Sequence, residues 1–165
     1  MESATHPTLS HLLQTADFET FRALWKLKML PVEYLPQAGI RALELGVDIE
    51  ATRILAGLER SDINEKAPEL FETTLDQFGS LSVEDAARIY ARVIAEAILR
   101  GLVEPYVGAR TIWAAASRVH ETSEFHELDP FIYAASEYED RPNDRAFFAS
   151  AIESEARSLL VRLAK

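Results

Sequence analysis

The residues with the most chemistry to offer are His120 and His126, which lie among Glu121, Glu124 and Glu127. Imidazole and carboxylate together can hold a metal ion. A separation of six, however, does not place two ligands on one helical face, as the i, i+4 pair of a zinc-protease helix does. There is no cysteine, which excludes thiolate zinc sites, iron–sulfur clusters, disulfides and cysteine nucleophiles together. Nucleophilic catalysis has no Gly-x-Ser-x-Gly elbow, and phosphate chemistry has no glycine-rich cradle. Carboxylate pairs are plentiful in so acidic a chain, and nothing selects one as an acid–base couple. The sequence therefore nominates no catalytic residue, no metal site and no cofactor.

Charge is the more specific signal. The 165 residues carry a formal charge of −10, beyond the magnitude of about 2–8 usual for a small domain. That sign disfavours phosphate backbones and anionic lipid. The acids are also segregated. Glu121, Glu124, Glu127, Asp129, Glu137, Glu139 and Asp140 occur between positions 119 and 140 without one Lys or Arg. Among them stand Tyr133 and Tyr138, rings that supply buried area in a protein interface while carboxylates steer a basic partner. Glu69, Glu72 and Asp76, spaced by three and four, form a second acidic line on one helical face. The solvated-face reading competes here, since Glu69 and Glu72 would then sit in a first helical turn and favour its dipole. These twelve residues are the expected partner-binding set.

Helices must position them. Apolar residues recur at helical spacing nearly throughout, with no alternating run of β-branched residues. Thr8 or Ser10 can open a short first helix, after a mobile segment 1–8. Asp17 is expected to cap a second, stopped by Pro31. A third runs over about 32–45 and ends at Gly46, and Asp48 caps a fourth. Pro68 is expected in the first turn of a fifth, which Gly79 ends. Ser82 and Asp85 open a sixth that ends at Gly101. Pro105 opens a seventh, Asp129 and Pro130 an eighth, and Pro142 and Asn143 the last. The prediction is an all-α single domain, 1–165, of eight or nine helices in an orthogonal or bundle-like array around Tyr90, Ile94, Ile98, Trp113, Phe148 and Ile152. Ala42 to Leu55 has the ingredients of a helix-turn-helix, but Asp48 and Glu50 open the second helix where phosphates would have to approach. DNA binding therefore ranks last. No signal peptide and no apolar run of about 20 residues is present, so a cytoplasmic protein without a membrane partner is expected.

The stretch Ile98-Leu99-Arg100-Gly101-Leu102-Val103-Glu104-Pro105-Tyr106-Val107-Gly108-Ala109, followed by Ile112-Trp113, resembles small uncharacterised bacterial all-helical proteins. Those proteins share a helix ending in Gly, a hydrophobic-x-Pro-x-x-Gly turn and an Ile-Trp helix, and the broad group includes polymorphic-toxin immunity proteins. The likeness spans under a tenth of the chain and transfers no functional residue. It implies a helical protein that neutralises a toxin by binding it. The combined expectation is a non-enzymatic acidic protein that docks a basic protein. The alternatives are a small enzyme or ligand-binding helical protein with a carboxylate-lined pocket, and a subunit that self-associates.

Overall fold

The computed structural model describes residues 7–165, and all regular structure in them is helical. The mobile segment expected at 1–8, with His6, lies almost wholly outside the described residues. Contacts gather the chain into two compact units, one ending at Ser82 and the other spanning Val83–Lys165. No helix among the described residues is long and apolar enough to cross a membrane.

The first unit holds α1 (Pro7–Gln14), α2 (Phe18–Lys26), α3 (Leu35–Glu44), α4 (Glu50–Ala56) and α5 (Ile63–Leu75), with single 3-10 turns at Val32–Tyr34 and Arg60–Asp62. Asp17 caps α2 as expected: its Oδ1 accepts from the Thr20 amide at 2.9 Å and the Thr20 hydroxyl at 2.7 Å. Two expected caps are corrected. Asp48 does not cap α4, because its carboxylate is drawn 2.7 Å from Arg53 and Ile49 takes the cap position. Pro68 does not open α5, which starts five residues earlier; Pro68 lies inside the helix. There it gives up one backbone hydrogen bond. Glu69 is consequently mid-helix and Glu72 in the last turn, so the dipole does not explain them. The core of this unit contains Phe21, Leu24, Leu27, Leu35, Leu55 and Phe71, and a buried hydroxyl pair, Thr52 and Thr74, joins α4 to α5 at 2.9 Å.

Three helix ends follow one pattern. After α3, Gly46 sits at φ 91°, its amide donating to the Leu43 carbonyl and that of Val47 to Ala42. After the sixth helix, Gly101 sits at φ 73°, with the same 5→2 and 6→1 bonds to Ile98 and Ala97. Both satisfy carbonyls that a helix end leaves open, and glycine adopts the left-handed turn without a Cβ penalty. α2 ends the same way, through Lys28 to Trp25 and Met29 to Leu24, but the left-handed residue is Lys28, at φ 57°.

The second unit holds α6 (Val83–Leu99), α7 (Pro105–His120), α8 (Asp129–Asp140) and α9 (Arg145–Leu163), with a 3-10 turn at Pro142–Asp144. α6 packs on α7 and α9, and α8 packs on both α7 and α9. Tyr90, Ile94, Ile98, Phe148 and Ile152 are buried as expected. Trp113 is not: it is half-buried, and the Arg110 guanidinium lies 4.4 Å from its ring centre. Burial drives the Tyr90 phenol up to about 12, so it stays neutral.

Gly108 lets α7 approach α6. A Cβ there would lie 2.5 Å from Ile98 Cδ1, 2.7 Å from Ile98 Cγ1 and 3.2 Å from Ile94 Cγ2. Gly108→Ala is expected to destabilise the protein by about 1–3 kcal/mol through overpacking. Thermal unfolding should show a midpoint lower by several degrees; an unchanged midpoint would mean that α6 yields without strain.

Candidate functional site

The acidic segment is built on the last turn of α7, the loop 121–128 and α8. Folding supplies the bases that the segment itself lacks. Arg88 of α6 donates from Nε and from a terminal nitrogen to the two oxygens of Glu127, the former at 2.8 Å. Those bonds hold the Glu127 carboxyl below the usual range and the Arg88 guanidinium above its own. Arg118 reaches Glu121 at 3.5 Å, Arg141 reaches Glu137 at 2.7 Å, and Arg110 reaches Glu139 at 3.6 Å. Glu139 also accepts from the Tyr106 hydroxyl, which raises that phenol. Four of the seven carboxylates thus face the protein's own arginines.

Glu124 and Asp129 share His126 instead, at 3.6 Å and 2.9 Å. His120 turns its Nε2 to the Phe125 carbonyl, and the two imidazole centres stand 6.4 Å apart. No group of three or more metal-binding side chains converges among the described residues. Asp140 has no ion-pair partner among them. Of the two tyrosines, Tyr138 is stacked on Tyr106 at 4.4 Å with Arg145 5.0 Å from its ring, whereas Tyr133 is 64% exposed. The segregation of charge along the chain is largely undone in space.

The second acidic line leads to a different feature. Glu72 and Asp76 border a groove of about 770 Å³ in the first unit, and Glu69 lies outside its lining. One wall is the C-terminal half of α2, with Arg22, Trp25, Lys26 and Lys28. The other is the end of α5 and the irregular exit through Phe78, Gly79, Ser80 and Leu81, and Leu30 joins the lining. Packing fixes the walls. Trp25 donates from Nε1 to Glu72 at 2.6 Å, and its ring meets Phe71 edge-on at 5.6 Å. Arg22 pairs with Glu19 at 3.5 Å, donates to the Gly79 carbonyl, and lies 5.7 Å from the centre of Phe78. Phe78 in turn stacks on Phe18 at 4.6 Å. Lys26 and Lys28 are exposed, and among the described residues neither has a carboxylate within ion-pair reach. Reading the sequence by charge balance missed these bases, because they stand in a stretch whose apolar side drew the attention. A Lys-x-Lys straddling a helix end was the signal available.

The His126 contacts have a pH consequence. The hydrogen bond to Asp129, then the Asp129 and Glu124 charges, raise the His126 imidazole above 6.5. A raised folded value means that this contact stabilises fully below the unfolded value of about 6.5 and is lost as pH rises through the folded midpoint. An NMR titration should place His126 above 6.5, and Asp129→Asn should bring it down; an unmoved midpoint would remove Asp129 as the cause. No protein-family model, no curated protein and no solved structure matches this chain.

Proposed function

We propose that the protein works by binding, and that its binding site is the groove between α2 and the end of α5. One observation carries the reading: a groove with fixed aromatic walls is lined by two exposed lysines that form no ion pair among the described residues. The groove's volume falls in the range of ligand pockets, about 300–1,000 Å³, and its lining mixes apolar surface with a few polar groups. Fixed walls lower the ordering cost of binding, because Trp25 and Arg22 are held before a ligand arrives. Glu72 and Asp76 make it a carboxylate-bordered pocket in a helical protein, but with cations across from them.

A second reading keeps a basic protein as partner at the 121–140 face, in the manner of a toxin-immunity protein. What favours it is that Glu124 has a side chain 91% exposed and lies in the same segment as exposed Tyr133 and arginine-free Asp140. The loose pairs at Glu121 and Glu139, on exposed side chains, are worth about 0–1 kcal/mol each and could exchange for a partner's cations. Glu127 is bound too well to take part.

A fragment screen read by amide and indole NMR should separate the two. The groove predicts that hits perturb the Trp25 indole N–H and the amides of 22–30 and 72–81; hits confined to the second unit would refute it. For the second reading, a basic nuclease toxin encoded beside this gene should associate more slowly as salt rises. Glu124→Lys with Asp140→Lys should slow it roughly tenfold, and salt-insensitive association would discard the docking face.

A further inference from the structure

From the groove's chemistry we infer its ligand class: a small amphiphile with one anionic head and an apolar body, taken from free solution. This rests on the groove being the binding site. Lys26 and Lys28 set the sign of the head group. They flank the end of α2, and no carboxylate of the described protein quenches them. The other groove cation, Arg22, is already committed to Glu19 and to the Gly79 carbonyl.

Lys28 adds a conformational argument. Three helix ends here share the same pair of closing hydrogen bonds, and two of them place glycine at the left-handed residue. A side chain in that conformation costs roughly 1–2 kcal/mol. Asn would be the cheaper non-glycine choice there, yet the chain holds a lysine, at the mouth of the groove. Strain at a cleft is an observation from which function can be argued. Asp76 is placed against local preference as well, an acid at the C-terminal end of α5, where the helix dipole is negative.

The rest of the lining fixes the body and the charge number. Trp25, Leu30, Leu75, Phe78 and Leu81 present apolar surface, which a compact inorganic anion would leave unused. Asp76 and Glu72 on the border repel negative charge that extends beyond the two lysines, so a polyanion such as a nucleic acid is opposed more strongly than a single anionic head seated at Lys26 and Lys28. The indole N–H of Trp25 is held by Glu72, so the ring offers its face rather than a donor.

The test uses the full chain carrying Trp113→Phe, so that emission reports Trp25, titrated with decanoate below its micellar range. The matched probes are 1-decanol and decyltrimethylammonium. Decanoate should bind at least tenfold more tightly than decanol, and the cation should not bind. Lys26→Ala with Lys28→Gly should weaken decanoate at least tenfold, and added salt should weaken it too. Lys28→Gly alone should unfold at the same temperature or higher, since it relieves the left-handed strain; lost binding with undiminished stability excludes a merely structural role for Lys28. If decanol or the cation binds as tightly as decanoate, the groove stands and the anion inference falls. Decanoate binding that the double variant leaves intact also overturns it. If none of the three probes shifts the signal, the inference and the groove reading fall together.

Discussion

Phe71 is the residue on which the geometry of the first unit turns. It is fully buried on α5 and meets two rings of α2 edge-on, Phe18 at 6.2 Å and Trp25 at 5.6 Å. Edge-to-face contacts favour a fixed ring geometry over mere apolar contact. They set the rotation of α2 against α5, so that one side of α2 is buried in Phe21 and Leu24 while Arg22, Trp25 and Lys26 come out along the groove. Phe78 then stacks on Phe18 and carries the exit of α5 back over α2, where the Gly79 carbonyl receives Arg22. A smaller residue at 71 would remove both edge contacts at once, and with them the reason for the groove's shape.

The second unit is organised by a different interaction, the supply of arginine to an acidic segment from its neighbours. Arg88 comes from α6, Arg110 and Arg118 from α7, and Arg141 from the turn after α8. They differ in weight. Arg88 makes a forked contact with Glu127, binds Asp85 at 2.6 Å, and lies 5.5 Å from the centre of buried Phe125. Such a fork adds direction as well as attraction. The contacts of Arg110 and Arg118 are long and exposed, and contribute little to stability. The segment is held closely at Glu127, at Glu137 and by Tyr106 at Glu139, and loosely at Glu121.

Helix existence was legible in the sequence because it rests on apolar period and on stop residues that act locally. Asp17, Gly46, Gly101 and Pro105 fall where their chemistry predicts. What failed was local chemistry that a competing partner overrode. Asp48 is an able cap, but Arg53 claims it. Pro68 is suited to a first turn, but the apolar side of α5, from Ala67 through Phe71 to Thr74, needs the helix to run on through it. Trp113 is expected in the core as an apolar residue of the seventh helix, but it is half-buried with Arg110 over its ring. The acidic segment failed as a guide to surface charge for a similar reason. Arg118 and Arg141 stand just outside the ends of the acidic run and pair back into it, at i,i+3 and i,i+4. Arg88 and Arg110 reach it from α6 and from an earlier turn of α7, which linear composition does not count. Of the twelve expected partner-binding residues, only Glu72 and Asp76 border the groove, and the bases that line it with them had only the Lys26-x-Lys28 spacing as a linear signature.

Consistency between local preference and tertiary structure is what makes a sequence specify a fold, and departures from it concentrate where something other than folding is selected. Two such departures occur here within one groove. Lys28 occupies a backbone conformation that the chain elsewhere gives to glycine, and Asp76 sits at the unfavourable end of α5. Either alone has a bland account: a lysine near a helix C-terminus suits the dipole, and an exposed acid is cheap in water. The bland account of Lys28 stops at its charge, because the dipole asks for no left-handed backbone and Lys26 already supplies a cation in the last turn. It also does not account for two exposed, unpaired ammonium groups lining the same groove. Carboxylates were plentiful enough to pair Lys66 and most of the arginines bordering the acidic segment. Arg60, Arg92, Arg100, Arg145, Arg157 and Lys165 also lack an ion pair among the described residues; what sets Lys26 and Lys28 apart is that both line one groove with Leu30 and Phe78, the place the proposed anionic occupant would fill.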